Sequence, residues 1–125
     1  MAAKMYIQDA INALQRALQD MRAQMDALRG QTDQQKRQLQ QEIDHRSAEQ
    51  KVDELALVEA ADNAARAVIA VRMEANHHAV EDARNRMARL DMELGHAVQP
   101  KTAAHNELQR IMERLSQFLS KPEIG

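Results

Sequence analysis

Three Glu-x-x-His triplets come closest in this chain to the spacing of a chemical site: Glu42 with His45, Glu74 with His77, and Glu93 with His96. On a helix, a carboxylate and an imidazole three residues apart share a face. Pairs of such motifs hold two metal ions inside di-iron helical bundles. The second triplet extends into Glu74, His77, His78 and Glu81, an i, i+3, i+4, i+7 set whose donors suit Zn²⁺ or Ni²⁺. Bundle metals need ligands that face the core. At ~100° per residue these four side chains point away from the apolar seam of their helix, and Glu42 and His45 also lie off theirs. The spacing therefore predicts solvated polar faces, with Glu74, His77, His78 and Glu81 as a weak surface metal set and no cofactor.

Other chemistry finds no address. Ser47, Ser116 and Ser120 lack the glycines of a nucleophile elbow, no Gly-rich loop is present to cradle phosphate, and the absence of Cys removes thiolate ligands and nucleophiles. Arg84, Arg86 and Arg89, with Arg110 and Arg114, make a local basic cluster. Asp82, Asp91 and Glu93 dilute it, and no aromatic platform accompanies it for stacking bases. With 17 basic and 19 acidic residues interspersed, the net charge of −2 gives no electrostatic footprint for nucleic acid or for anionic membrane. The expectation is a protein that is not an enzyme and binds neither nucleic acid nor membrane.

The elements that carry these residues are helices. Hydrophobic residues make up 44% of the 125, yet aromatics only 2%, so the apolar mass is Ala, Leu, Ile, Val and Met. That composition suits long helices packed side by side. Three Gly and two Pro supply too little turn chemistry for sheets. The fold expected is all-α: a long antiparallel helical hairpin of coiled-coil type, with a shorter third helix packed at one end, oligomeric. No apolar run approaches the ~18 residues of a membrane span, and the N-terminus meets charged residues too early for a signal peptide. The expected setting is the cytoplasm or a larger particle.

In the first helix, expected over about residues 4–46, Ile7, Ile11, Leu14, Leu18, Met21, Met25 and Leu28 alternate steps of four and three, the heptad seam of a coiled coil. A polar, glutamine-rich stretch follows. Ser47-Ala48-Glu49-Gln50 fits a capping box and predicts the hairpin turn there. The same pattern at Thr32, just after Gly30, and a helix with no turn at all remain alternatives. The second helix is expected over about 48–97, its seam collecting Val52, Leu55, Val58, Ala61, Ala65, Ile69, Met73, Val80, Ala83, Met87, Leu90, Leu94 and Val98. Pro100 and a Thr102 cap open a third helix over about 103–119, and residues 120–125 read as a tail.

The stretch from Leu55 to Ala75 is apolar around most of its circumference, which marks a buried helix. Beside the main seam it carries Leu57, Ala60, Ala64, Ala67, Val68, Val71 and Ala75. A third helix folding back reaches only to about Val80 at ~1.5 Å per residue, so this second stripe has no partner within one chain. It is expected to be the interface of a homo-oligomer or to receive another helical protein. Asp62, Arg72 and Asn76 lie within or beside the seam and are expected to set register; Arg72→Leu is expected to raise thermal stability while permitting mixed oligomers. The function these features imply is that of a coiled-coil assembly, scaffold or adaptor protein, such as a component of a secretion apparatus or phage particle. A small cytoplasmic chaperone holding a client is the alternative, and a metal-binding bundle the third.

Overall fold

Ala, Gln, Glu, Arg, Leu and Met fill most positions, and all are strong helix formers. The structure, a computed structural model, describes residues 2–121. Almost all of them lie in two helices, α1 (Ala2–Glu59) and α2 (Asn63–Ser120), joined by Ala60, Ala61 and Asp62. No strand occurs among the described residues. The expected tail falls mostly on residues 122–125, outside the described ones. The contacts divide the chain into two units: one joins the residues up to Gly30 to those from Leu94 onward, and the other is Gln31–Glu93, which contains the turn.

In the first unit the heptad expectation describes the packing. Ile11, Leu18 and Met25 are buried, with Ile7, Leu14, Met21 and Leu28 half-buried between them. Across from them Leu94, Val98, Lys101, His105, Leu108, Met112, Leu115 and Leu119 are the covered positions of α2, again in alternating steps of four and three. Thr102 donates its hydroxyl to Met25 Sδ (3.4 Å), Lys101 Nζ donates to Gln24 Oε1 (3.2 Å) and Arg22 Nε donates to His105 Nε2 (3.0 Å). As α1 numbers rise, their α2 partners fall, so the helices run antiparallel.

In the second unit the seam persists, but its α1 side is half polar. Thr32, Lys36, Leu39, Ile43, Arg46, Gln50, Asp53, Leu57 and Ala60 are covered positions, every one a heptad step from the last. Opposite them lie Ile69, Met73, Asn76, Val80, Ala83, Met87 and Leu90. Cross-helix bonds tie Lys36 to Asp91 (2.9 Å), Arg46 to Asn76 (3.0 Å) and Arg72 to Asp53 (2.9 Å), closing on the turn.

Three expectations about boundaries are corrected here. The turn lies at 60–62, not near Ser47 or Gly30, both of which sit inside α1. It splits the stretch from Leu55 to Ala75 between two helices, so that stretch is not one buried helix. Among the described residues there is no separate third helix: α2 continues through Pro100 to Ser120. Pro100 is on an exposed position of α2, where water can take the carbonyl its missing N–H leaves free, so the helix survives at a cost of about 3 kcal/mol. Thr102, expected as a cap, is instead a bonding residue within the helix.

Candidate interaction surface

The turn is built from a side-chain cap. α2 begins where Asp62 Oδ1 accepts a hydrogen bond from the Ala65 N–H (2.7 Å), while the Asp62 carbonyl accepts the first helical bond from the Arg66 N–H (3.2 Å). A carboxylate at this position also meets the partial positive charge of the helix N-terminus. Asp62, expected within a seam, is therefore the cap of α2, and its side chain is exposed.

Around this turn the usual partition of side chains is inverted. The seam buries Asp53 and Asn76 and half-covers Arg46 and Gln50. The outer surface meanwhile presents Val52, Leu55, Val58, Val68 and Val71, each more than three-fifths exposed. Three of these, Val52, Leu55 and Val58, were expected in the seam of a second helix. They fall instead on the outside of α1, because the turn comes after them. Of the residues expected at an interface, Leu57 and Ala60 are half-covered by their own hairpin, whereas Ala64, Ala67, Val68, Val71 and Ala75 are exposed on α2.

The polar seam residues form two cross-helix links. Asn76, 6% exposed, accepts from Arg46 Nη1 (3.0 Å) and donates from Nδ2 to the Arg46 carbonyl (3.3 Å). Arg72 Nη2 donates to Asp53 Oδ1 (2.9 Å), with the Arg72 side chain 59% exposed and the Asp53 side chain 12%. Arg46 and Asp53 are partners that the sequence reading missed. Their heptad phase with Ile43 and Leu57 could have revealed them, had polar residues been counted as seam members.

The Glu/His set stays on the outer face of α2. His77 Nε2 lies 3.1 Å from Glu81 and His78 Nε2 lies 3.7 Å from Glu74, both i, i+4 pairs with side chains more than half exposed. The two imidazoles are 6.1 Å apart and tilted. Each histidine is thus tied along the helix to a different carboxylate. His45 makes the same kind of pair with Glu49 (2.9 Å). Among the described residues no three His, Cys, Asp or Glu side chains gather as a metal site would require.

Also among the described residues, no helix is long and apolar enough to cross a membrane. What the arrangement offers chemically is contact: branched apolar side chains and alanines displayed beside a capped turn, on helices joined by the Arg46–Asn76 and Arg72–Asp53 hydrogen bonds. Comparison of the chain with protein-family models, with curated proteins and with solved structures finds no match.

Proposed function

We propose that this protein is a non-enzymatic coiled-coil assembly or adaptor protein, working in the cytoplasm or within a larger particle, whose function is the contact made by the exposed apolar residues beside its turn. One observation carries the reading: Val52, Leu55, Val58, Val68 and Val71 are all exposed close to the turn, whereas Met5, Tyr6, Met92, Ile111 and Phe118 are exposed singly elsewhere. A Val or Leu left in water forgoes about 1.5–3 kcal/mol relative to burial. Scattered apolar residues on a surface need no explanation, but a concentration of them marks a contact site.

The partner surface is best met by a helix. Ala48, Ala64, Ala67 and Ala75 interleave with the larger side chains at heptad spacing, so another helix can approach closely and insert its own side chains.

Site-specific photo-crosslinking in intact cells tests this. A photoreactive residue at position 68 or 71 should give discrete adducts, while one at position 77, on the Glu/His face, should give none. No adduct from 68 and 71, or equal adducts from 77, would remove the reading. A tight stoichiometric zinc or nickel site by calorimetry would move attention back to Glu74, His77, His78 and Glu81.

A further inference from the structure

We propose that the helices carry a bending joint, set where α1 passes Gly30 and α2 passes Gly95 and Pro100. Met25 meets Thr102, and Lys36 meets Asp91, so these two rungs stand eleven residues apart on each helix. Every glycine and proline among the described residues falls in the interval between them: Gly30 on α1, Gly95 and Pro100 on α2. The joint is independent of whatever meets the apolar residues beside the turn.

Packing does not call for either glycine. Both are exposed, and a Cβ built on either meets nothing within 4 Å. What glycine brings to a helix is backbone freedom, which weakens the helix there. Pro100 removes the helical bond to the His96 carbonyl, and its ring crowds that turn. His96 follows Gly95 directly, so the two weak points of α2 fall together. Proline and glycine are where long helices bend.

The seam changes its repeat in the same interval. On α1 its steps of four and three alternate from Ile7 to Leu28, then two steps of four follow in succession, Leu28 to Thr32 to Lys36. Alternation resumes at Leu39. On α2 the same double step runs from Leu90 to Leu94 to Val98, and alternation resumes at Lys101. Three, four and four make an eleven-residue repeat, a stutter, which locally unwinds the left-handed supercoil. The middle member on α1 is Thr32, buried but small, where the seam before it carries Ile, Leu or Met. Both helices therefore stop winding about each other over the interval that holds their weakest backbone, and a bend costs least there.

Residual dipolar couplings of the backbone N–H groups, in a weakly aligned sample of the full chain, are the test. Couplings from residues 5–25 with 102–119 are fitted separately from those of 36–58 with 64–91, all within α1 and α2. A joint swinging by ~20°, the scale of proline and glycine kinks, should leave one set aligned about a tenth less strongly than the other. Gly30→Ala, Gly95→Ala and Pro100→Ala combined should make the two alignments equal. All three replacements favour helix, so circular dichroism should show no loss of fold. A single alignment that describes both sets in the wild-type chain overturns the joint. A difference that the triple variant keeps also overturns it, because the motion would then arise from other residues.

Discussion

Replacing either member of the Arg72 and Asp53 pair by Leu should move stability in opposite directions. The two groups share one hydrogen bond of 2.9 Å, but their surroundings differ: the Asp53 side chain is 12% exposed and the Arg72 side chain 59%. Arg72→Leu leaves a carboxylate in the seam without the donor that compensates its burial. The penalty for a stranded buried polar group is about 1–3 kcal/mol, and more for a charged one. Asp53→Leu does the reverse. The seam position between Gln50 and Leu57 becomes apolar, which contributes about 1–2 kcal/mol, and Arg72 turns into water, where its charge costs nothing to hydrate. The two variants should therefore differ by about 3 kcal/mol, or roughly 10 °C in midpoint for a chain of this size. Thermal and urea unfolding followed by circular dichroism, at a concentration below any self-association, reads this directly. An Arg72→Leu variant as stable as the wild type, or an Asp53→Leu variant less stable than Arg72→Leu, would mean that Asp53 does not depend on Arg72 for its place in the seam. The sequence alone suggested the opposite sign for Arg72→Leu, because it did not reveal which partner lies inside.

Four further outcomes are expected. Gly30→Ala and Gly95→Ala should each stabilise by about 1 kcal/mol, since both glycines lie within helices and open space surrounds the position a Cβ would take; midpoints in urea check this. Pro100→Ala should stabilise by about 2–3 kcal/mol by restoring a helical hydrogen bond, and no change would mean that the helix is already broken there. Asp62→Ala should cost about 1 kcal/mol through loss of the cap, with Asp62→Asn retaining most of it. Zinc titrated into the protein by calorimetry should show only weak binding that His77→Ala removes, as expected for exposed side chains that face different carboxylates.

The all-helical fold was legible because Gly and Pro are scarce and Ile7 through Leu28 keep strict heptad spacing; those residues are covered positions of α1 in the first unit. From Ile69 onward the apolar positions read as a seam are likewise the covered ones. The turn was not legible. Ala60 and Ala61 are the strongest of helix formers, and Asp62 caps α2 with Ala at the third helical position where a capping box would carry Glu or Gln. Ser47 met that pattern better and yet lies inside a helix, because a local cap signal cannot compete with helical bonding on both sides. The seam between Thr32 and Asp53 was hidden for a related reason. Reading apolar residues alone skips Lys36, Arg46, Gln50 and Asp53, which occupy seam positions by pairing across the hairpin or by laying their stems along it. Once the turn is placed at 60–62, Val52, Leu55 and Val58 change from seam to surface. Of the stripe expected at an interface, Ala64, Ala67, Val68, Val71 and Ala75 are exposed on α2, although the premise of a continuous helix with a third one behind it does not hold.

If the apolar side chains beside the turn are a contact surface, they are covered when the protein meets its partner. Methyl NMR with a soluble paramagnetic agent measures that cover residue by residue. Adding a lysate of the protein's own cells, or raising the concentration of the full chain, should protect the methyls of Val52, Leu55, Val68 and Val71 while leaving those of Val80, already in the hairpin seam, unchanged. Methyls at 52, 55, 68 and 71 that stay fully relaxed at every concentration, and also when the protein is studied in a lysate of its own cells, would contradict the claim.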